Sequence, residues 1–414
     1  MKRAKSLMVL GTASGVGKSF VTAGLCRLLS NWGFRVAPFK AQNMSNNSYV
    51  TEEGGEMGRA QAVQAECARI RPHVDMNPVL LKPASDNRSQ VIVQGKPVGH
   101  FPAREFYAER QRIAEAIWDS YERLAASYEI IILEGAGSPA EINLKKNDLV
   151  NMAMAERAGA RCLLVGDIDR GGVFASLVGT LELLERDEQE RIVGLVINKF
   201  RGDPSLLEDG LDFLERRTGK KVWGVLPYER DLWIEEEDAL AVENPPSPFR
   251  HTEGGSVLWR ISSPPQRGRG EGEGVDIAVI LLPRLSNFTD FEILKQDPSV
   301  QLRYIKKSEE MGEPDLLILP GTKATMADLA YLKEKGFFPE ILNFANRGGR
   351  ILGICGGYQM MGTSLRDPQG LEEKNQKETE GLKLFRMTTE FYPEKVLRKV
   401  EDFVDVRIFG ARVS

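Results

Sequence analysis

The chain has 414 residues, 42% of them hydrophobic and 28% charged, with a formal net charge of -4. That length supports two or three domains, each with its own core, and the slightly acidic balance excludes a broad nucleic-acid footprint, which needs a basic face. The apolar run behind the basic start ends at Gly11, too short for a signal peptide or a membrane span, and Cys26, Cys67, Cys162 and Cys355 lack disulfide or zinc spacing, so a cytoplasmic, reducing setting is expected.

In chain order, short aliphatic runs alternate with longer amphipathic stretches. Strands are predicted at 7–10, 35–39, 130–133, 162–167, 192–197 and 222–225, and helices at 17–32, 57–70, 103–126, 149–158, 173–185 and 206–217. Such alternation predicts an α/β domain over residues 1–243, a mostly parallel sheet with helices on both faces. From 244 to 274 proline and glycine are too dense for a packed element, and a flexible linker holding His251 and Trp259 is expected. A second α/β domain follows at 275–414. Its strands are predicted at 276–282, 301–304, 316–319 and 350–354, its helices at 290–296, 326–335 and 338–346, and a charged surface loop at 372–378. Residues 404–408 alternate as a half-buried strand does, and the sequence ends soon after. The second domain is therefore expected to be cut short.

In parallel sheets ligands gather at the carboxyl ends of strands, so the residues just past each strand carry the functional reading. After the first strand comes Gly11-Thr12-Ala13-Ser14-Gly15-Val16-Gly17-Lys18-Ser19. Glycines followed by lysine at a helix start let backbone N–H groups and an ammonium converge on phosphate oxygens. The strict phosphate-loop spacing asks for glycine at position 12 and finds Thr12, so the loop is a Gly-x5-Gly-Lys-Ser variant. Partition-type ATPases carry a second lysine near the loop start, where this chain has Ala13. Nucleotide binding is expected at Gly11, Thr12, Ser14, Gly15, Val16, Gly17, Lys18 and Ser19.

Further strand ends add polar groups. Ser19 and Glu134 are candidate magnesium ligands, and Lys40 a cation for a transferring phosphoryl group. Asn198 suits a base-reading amide or a structural turn. Asp167 and Asp169 can serve metal, substrate or the adjoining helix start.

Near the other end, Gly353-Ile354-Cys355-Gly356-Gly357 follows a strand. Gly-x-Cys-x-Gly between strand and helix is the thiol counterpart of the nucleophile elbow, and a helix N-terminus favours the thiolate. Backbone N–H groups at Gly321 and Gly356 are candidate oxyanion donors. A cysteine of this type works with a histidine base. His73, His100 and His251 are the three histidines, and none lies beyond 274. Together with the phosphate loop, this thiol suggests an ATP-driven amide-forming enzyme that takes its nitrogen from glutamine; loss of a general base costs on the order of 10²–10⁴ in rate, so the glutaminase half is expected to be severely impaired.

Long, separated matches make the sequence similar to the cobyric acid synthase family. They include 39–45 (Phe39-Lys40-Ala41-Gln42-Asn43-Met44-Ser45), 55–62, 77–83, 134–138, 166–174, 197–202 and 283–290, besides the Cys355 elbow. The resemblance implies a phosphate-loop synthetase domain like that of dethiobiotin synthetase, joined to a class I glutamine amidotransferase domain. It implies ATP and Mg2+ as cofactors, with glutamine or ammonia as nitrogen donor. The b, d, e and g carboxylates of cobyrinic acid a,c-diamide would become carboxamides through acyl phosphates, in cobalamin biosynthesis. Lys18 and Lys40 would act in catalysis with Cys355, and Gln42 and Asn43 are candidate substrate contacts. The competing expectations are a cobyrinic acid a,c-diamide synthase, which the 42–45 run argues against, and a non-catalytic nucleotide-binding relic, which Lys18 and Ser19 argue against.

Overall fold

The fold is taken from a computed structural model that describes residues 4–85, 88–102, 110–229, 274–372, 376–392, 406–408 and 411–413. The expected linker, apart from Gly274, and the 243/244 boundary lie outside the described residues, as does the start of the helix expected at 103–126.

The first unit opens with β1 (Lys5–Gly11), α1 (Lys18–Asn31) and β2 (Val36–Phe39), the strands ending at the phosphate loop and at Lys40 respectively. A small insertion follows: β3 (Gln42–Met44), β4 (Ser48–Val50), β5 (Glu56–Gly58), α2 (Arg59–Cys67), then β6 (Val79–Ser85), β7 (Arg88–Val93) and β8 (Lys96–Pro102). The main sheet resumes through α3 (Arg110–Ser127), β9 (Ile130–Glu134), α4 (Met152–Ala158), β10 (Arg161–Asp167), α5 (Val173–Glu182), α6 (Arg186–Arg191), β11 (Ile192–Phe200), α7 (Glu208–Thr218) and β12 (Lys221–Pro227).

The main sheet runs β12-β11-β10-β1-β9-β2, every neighbouring pair parallel. Its central strands are aliphatic on both faces because helices cover both. Met8 and Leu10 enter the core on one side and Val9 the core on the other, the two-residue period of a strand. Register matters for the site: Val9 pairs with Glu134 and Asp167 with Asn198, which sets those polar residues at one end of the sheet.

Residues 42–102 depart from the α/β expectation. Here β3-β6-β7-β8 form a separate sheet, antiparallel from β6 to β8, and β4 pairs with β5. The helix predicted at 57–70 starts two residues later, because Glu56–Gly58 pairs with β4 and Gly58 is extended at φ -63, ψ 136. Three-residue strands are too short to show a periodicity in sequence.

The second unit comprises β13 (Val275–Ile280), α8 (Glu292–Gln296), β14 (Val300–Ile305), β15 (Leu316–Leu319), α9 (Thr325–Glu334), α10 (Phe337–Asn346), β16 (Ile351–Gly353) and α11 (Gly356–Met360). Short strands β17 (Ser364–Arg366), β18 (Glu378–Glu380) and β19 (Thr388–Glu390) and the pair β20 (Val406–Ile408) and β21 (Ala411–Val413) follow. The sheet order is β14-β13-β15-β16, again parallel throughout. The units meet where Lys323 Nζ donates to Gln90 Oε1 at 2.7 Å, the Ser48 N–H donates to Asn287 Oδ1 at 3.3 Å, and Arg59 lies 3.9 Å from Asp290.

Candidate active site

The phosphate loop is held from outside itself. Thr12 N–H donates to the Val165 carbonyl at 2.9 Å, tying the loop to β10. Asn198, buried at the end of β11, donates from Nδ2 to the Val16 carbonyl at 2.9 Å, and Lys199 from Nζ to the Gly15 carbonyl at 2.6 Å. Gly17 sits at φ 95, where a side chain is strained, and a Cβ there would strike the Asn198 amide. Glycine is therefore required twice over. Lys18 is buried and donates to the carbonyls of Ala13 at 3.0 Å and Gly137 at 3.2 Å, spanning the loop and the turn after β9.

Beside the loop, four side chains converge. Ser19 Oγ and Lys40 Nζ each donate to Glu134 Oε1 at 2.8 Å, and Gln64 Nε2 donates to Glu134 Oε2 at 2.5 Å. Burial alone pushes the Glu134 carboxyl up, but the Lys40 ammonium and the hydrogen bonds from Lys40, Gln64 and Ser19 outweigh it and hold the group below its ordinary range. The carboxylate is thus charged and already attracts a cation, which suits a divalent metal at Ser19 and Glu134. No cluster of three or more His, Cys, Asp or Glu side chains able to hold a metal occurs among the described residues, so the remaining ligands would be phosphate and water oxygens.

Gln64 escaped the sequence reading. Its signal is faint: Gln61 and Gln64 stand three apart on α2, polar side chains with no exposure in an alanine-rich stretch. Asn43 joins the same cluster, donating from Nδ2 to Gln61 Oε1 at 3.0 Å, while Gln42 beside it is half-buried. Buried amide atoms of Asn43, Asn46, Asn47, Gln61 and Gln64 have no hydrogen-bond partner.

The two aspartates after β10 separate in role. Asp167 is buried, accepts from the Asp169 N–H at 2.8 Å and lies 3.2 Å from Lys199 Nζ; Asp169 faces outward and accepts from Arg201 at 2.8 Å. Asn198 is spent on the loop, and the open space lies just beyond it. A cavity of about 530 Å³ is lined by Phe200, Arg201, Pro204, Val225 and Tyr228 among others, with the Arg201 guanidinium 3.5 Å over the Tyr228 ring.

In the second unit, Cys355 has φ 49 and ψ -111, a strained backbone for a residue with a Cβ. Its thiol is free and exposed. The flanking glycines permit the bend: a Cβ on Gly356 would meet Thr322, and one on Gly357 would meet the Leu319 carbonyl. Gly321 lies against the thiol residue, since a Cβ built there would fall 3.6 Å from that of Cys355. The 320–323 turn is braced by fully buried Asp328, which accepts from Thr322 Oγ1 and, at 3.3 Å each, from Arg284 N–H and Nη1. His73 caps a turn in the first unit, where its Nδ1 accepts from the Asp75 N–H at 3.2 Å.

A phosphate-binding α/β unit followed by a parallel-sheet unit with a cysteine elbow defines an ATP-dependent amidotransferase. Residues 7–241 match the family model of the CobQ/CobB/MinD/ParA nucleotide binding domain, and 276–414 that of the CobB/CobQ-like glutamine amidotransferase domain. The chain is 51% identical to a cobyric acid synthase of Sorangium cellulosum, over 96% of this chain and 72% of that one. It is 48% identical to a cobyric acid synthase of Syntrophobacter fumaroxidans, over 96% of this chain and 74% of the relative. The chain belongs to the cobyric acid synthase family. No helix among the described residues is long and apolar enough to cross a membrane.

Proposed function

We propose that this protein amidates the b, d, e and g carboxylates of cobyrinic acid a,c-diamide, using ATP and nitrogen from glutamine or ammonia. The carrying observation is the convergence of Lys18, Ser19, Lys40 and Glu134 at the phosphate loop. ATP lies with its phosphates over the loop from Gly11 to Gly17, where the backbone N–H groups of Ser14, Gly15, Val16 and Gly17 and the αL turns at Gly15 and Gly17 suit an anion, while the Thr12 N–H is spent on Val165. The base takes the cavity beside Arg201 and Tyr228, a planar cation-and-ring surface one residue pair beyond Asn198.

Ser19 and Glu134 would hold Mg2+, which supplies charge neutralisation for the phosphates. A substrate carboxylate oxygen attacks the γ-phosphorus, ADP leaves, and the resulting acyl phosphate is open to ammonia; phosphate departs as the amide forms. Lys18 and Lys40 neutralise charge on the transferring group. The buried amides of Asn43 and Gln61, with Gln42, offer donors and acceptors to the substrate's acid and amide arms, while Asp167 and Asp169 order the neighbouring turn. At the second site the Cys355 thiolate attacks the glutamine amide carbon and N–H groups at Gly321 and Gly356 receive the oxyanion; the C–N bond then breaks, ammonia leaves with a proton from water, and water hydrolyses the thioester to glutamate and the free thiol. The four free cysteines accord with a cytoplasmic setting.

The test is phosphate release on mixing the protein with cobyrinic acid a,c-diamide, ATP and ammonium, which bypasses the thiol. Corrinoid-stimulated phosphate release with matching amide formation is expected. A folded protein with no corrinoid-stimulated turnover overturns the reading.

A further inference from the structure

Three donors hold Glu134. Oε1 accepts from both Ser19 Oγ and Lys40 Nζ at 2.8 Å, and Oε2 accepts from Gln64. Both the Lys40 and Glu134 side chains have 0% exposure. Magnesium needs oxygen ligands at about 2.0–2.1 Å in near-octahedral geometry. Both acceptor directions of Oε1 are already taken, and a second cation next to a dry ammonium is strongly repelled. A metal therefore cannot take Oε1, the oxygen that Ser19 and Lys40 share, while Lys40 stays where it is.

We propose that Lys40 is the resident counter-ion of the metal seat. In the nucleotide-free protein its ammonium neutralises Glu134, and it leaves when a divalent cation arrives with a nucleotide. This rests on the reading of Ser19 and Glu134 as the metal ligands. A buried carboxylate left alone is far more costly than a paired one, so a built-in cation keeps the empty site folded. Lysine suits the task, being a compact charge on a flexible stem. Its backbone stays fixed, since the Lys40 N–H donates to the Met76 carbonyl at 2.8 Å, so only the side chain has to move. The free protein should accordingly reject divalent metal unless a nucleotide comes with it. Lys40 then serves in sequence, first on Glu134 and later on the phosphoryl group.

The test reads metal binding rather than turnover. Mn2+ stands in for Mg2+, and free and bound Mn2+ are measured by electron paramagnetic resonance for the wild type, Lys40→Met, Lys40→Arg and Ser19→Ala. The wild type should bind Mn2+ weakly alone and tightly with ADP. Lys40→Met should bind Mn2+ without nucleotide at least about tenfold more tightly than the wild type, because the competing charge is gone. Lys40→Arg, which keeps the charge, should resemble the wild type. Equal nucleotide-free affinities for wild type and Lys40→Met overturn the counter-ion role while leaving the metal seat intact. No Mn2+ binding by the wild type even with ADP, or full binding by Ser19→Ala, overturns the metal seat itself and the inference with it. Should Lys40→Met lose its circular-dichroism signature, the wild type decides: acetylation of Lys40 mapped by mass spectrometry should run faster with Mn2+ and ADP than with ADP alone. An unchanged rate overturns the proposal.

Discussion

Asn198 donates its side-chain amide to the Val16 carbonyl 2.9 Å away, a contact between positions 182 apart in sequence. The residue that a strand-end reading assigns to the nucleotide base is thereby committed to the loop that holds the phosphates. Asn198→Ala leaves a buried carbonyl without its donor, a cost of about 1–3 kcal/mol. ATP affinity should fall roughly tenfold, measured by titration with a fluorescent nucleotide, and wild-type affinity would show that the loop stands without this brace. Gly17→Ala, which adds strain and a clash with the same amide, should be worse.

Lys18 spans the loop and the turn after β9, so its removal takes a cation from the phosphates without emptying the core. Lys18→Ala should lower ATP-dependent amide formation by about 10²–10³ while the protein stays folded. The check is product formation with ammonium as donor, beside an unfolding curve. Unchanged amide formation would remove the basis of the proposed chemistry.

The four thiols should separate by alkylation. Burial pushes Cys162 up to about 12 and raises Cys26 further still, while Cys67, half-buried, is raised by burial as well. A raised pKa keeps the thiol neutral, so at pH 8.5 Cys26 and Cys162 supply almost no thiolate, and Cys67 supplies less than an unburied thiol would. Exposed Cys355 should therefore take up iodoacetamide first, and Cys26 and Cys162 should react only after unfolding. Peptide mass spectrometry reads the order directly. Early labelling at Cys162 would contradict the packing described for β10.

Asp328 braces the 320–323 turn against the elbow. Burial pushes its carboxyl up, and Thr322 and Arg284 only partly reverse this. For a carboxyl whose pKa is higher in the folded state, the stability it contributes is full below the ordinary Asp range and declines as pH rises through the raised value. Urea unfolding of Asp328→Asn across that interval should lack this decline. Asp328→Ala should cost about 1–3 kcal/mol, since it leaves buried donors unpaired. Parallel pH profiles for the wild type and Asp328→Asn would refute the assignment.

Legibility in the sequence followed locality. The loop from Gly11 to Ser19, Glu134 at the end of β9 and the Cys355 elbow are contiguous motifs, each a strand running into a turn whose chemistry is spelled out by adjacent residues. The insertion from Gln42 to Pro102 was missed because its pairings are short and long-range, and the hydrophobic period over three residues says nothing. Gln64 was missed for a related reason: a glutamine in an alanine-rich helix reads as a surface residue until α2 is packed against α1.

By itself the sequence determined the α/β alternation, the phosphate loop and the exposed thiol, because backbone turns and strand ends are set by residues next to one another. Only the tertiary structure decided which side chains share a charge. Strand order places β9 between β1 and β2, so that the acid ending one strand meets the serine following a second and the lysine following the third. A buried carboxylate must be neutralised by whatever cation the fold brings within reach, and that choice, Lys40 on Glu134, depends on three segments distant in sequence.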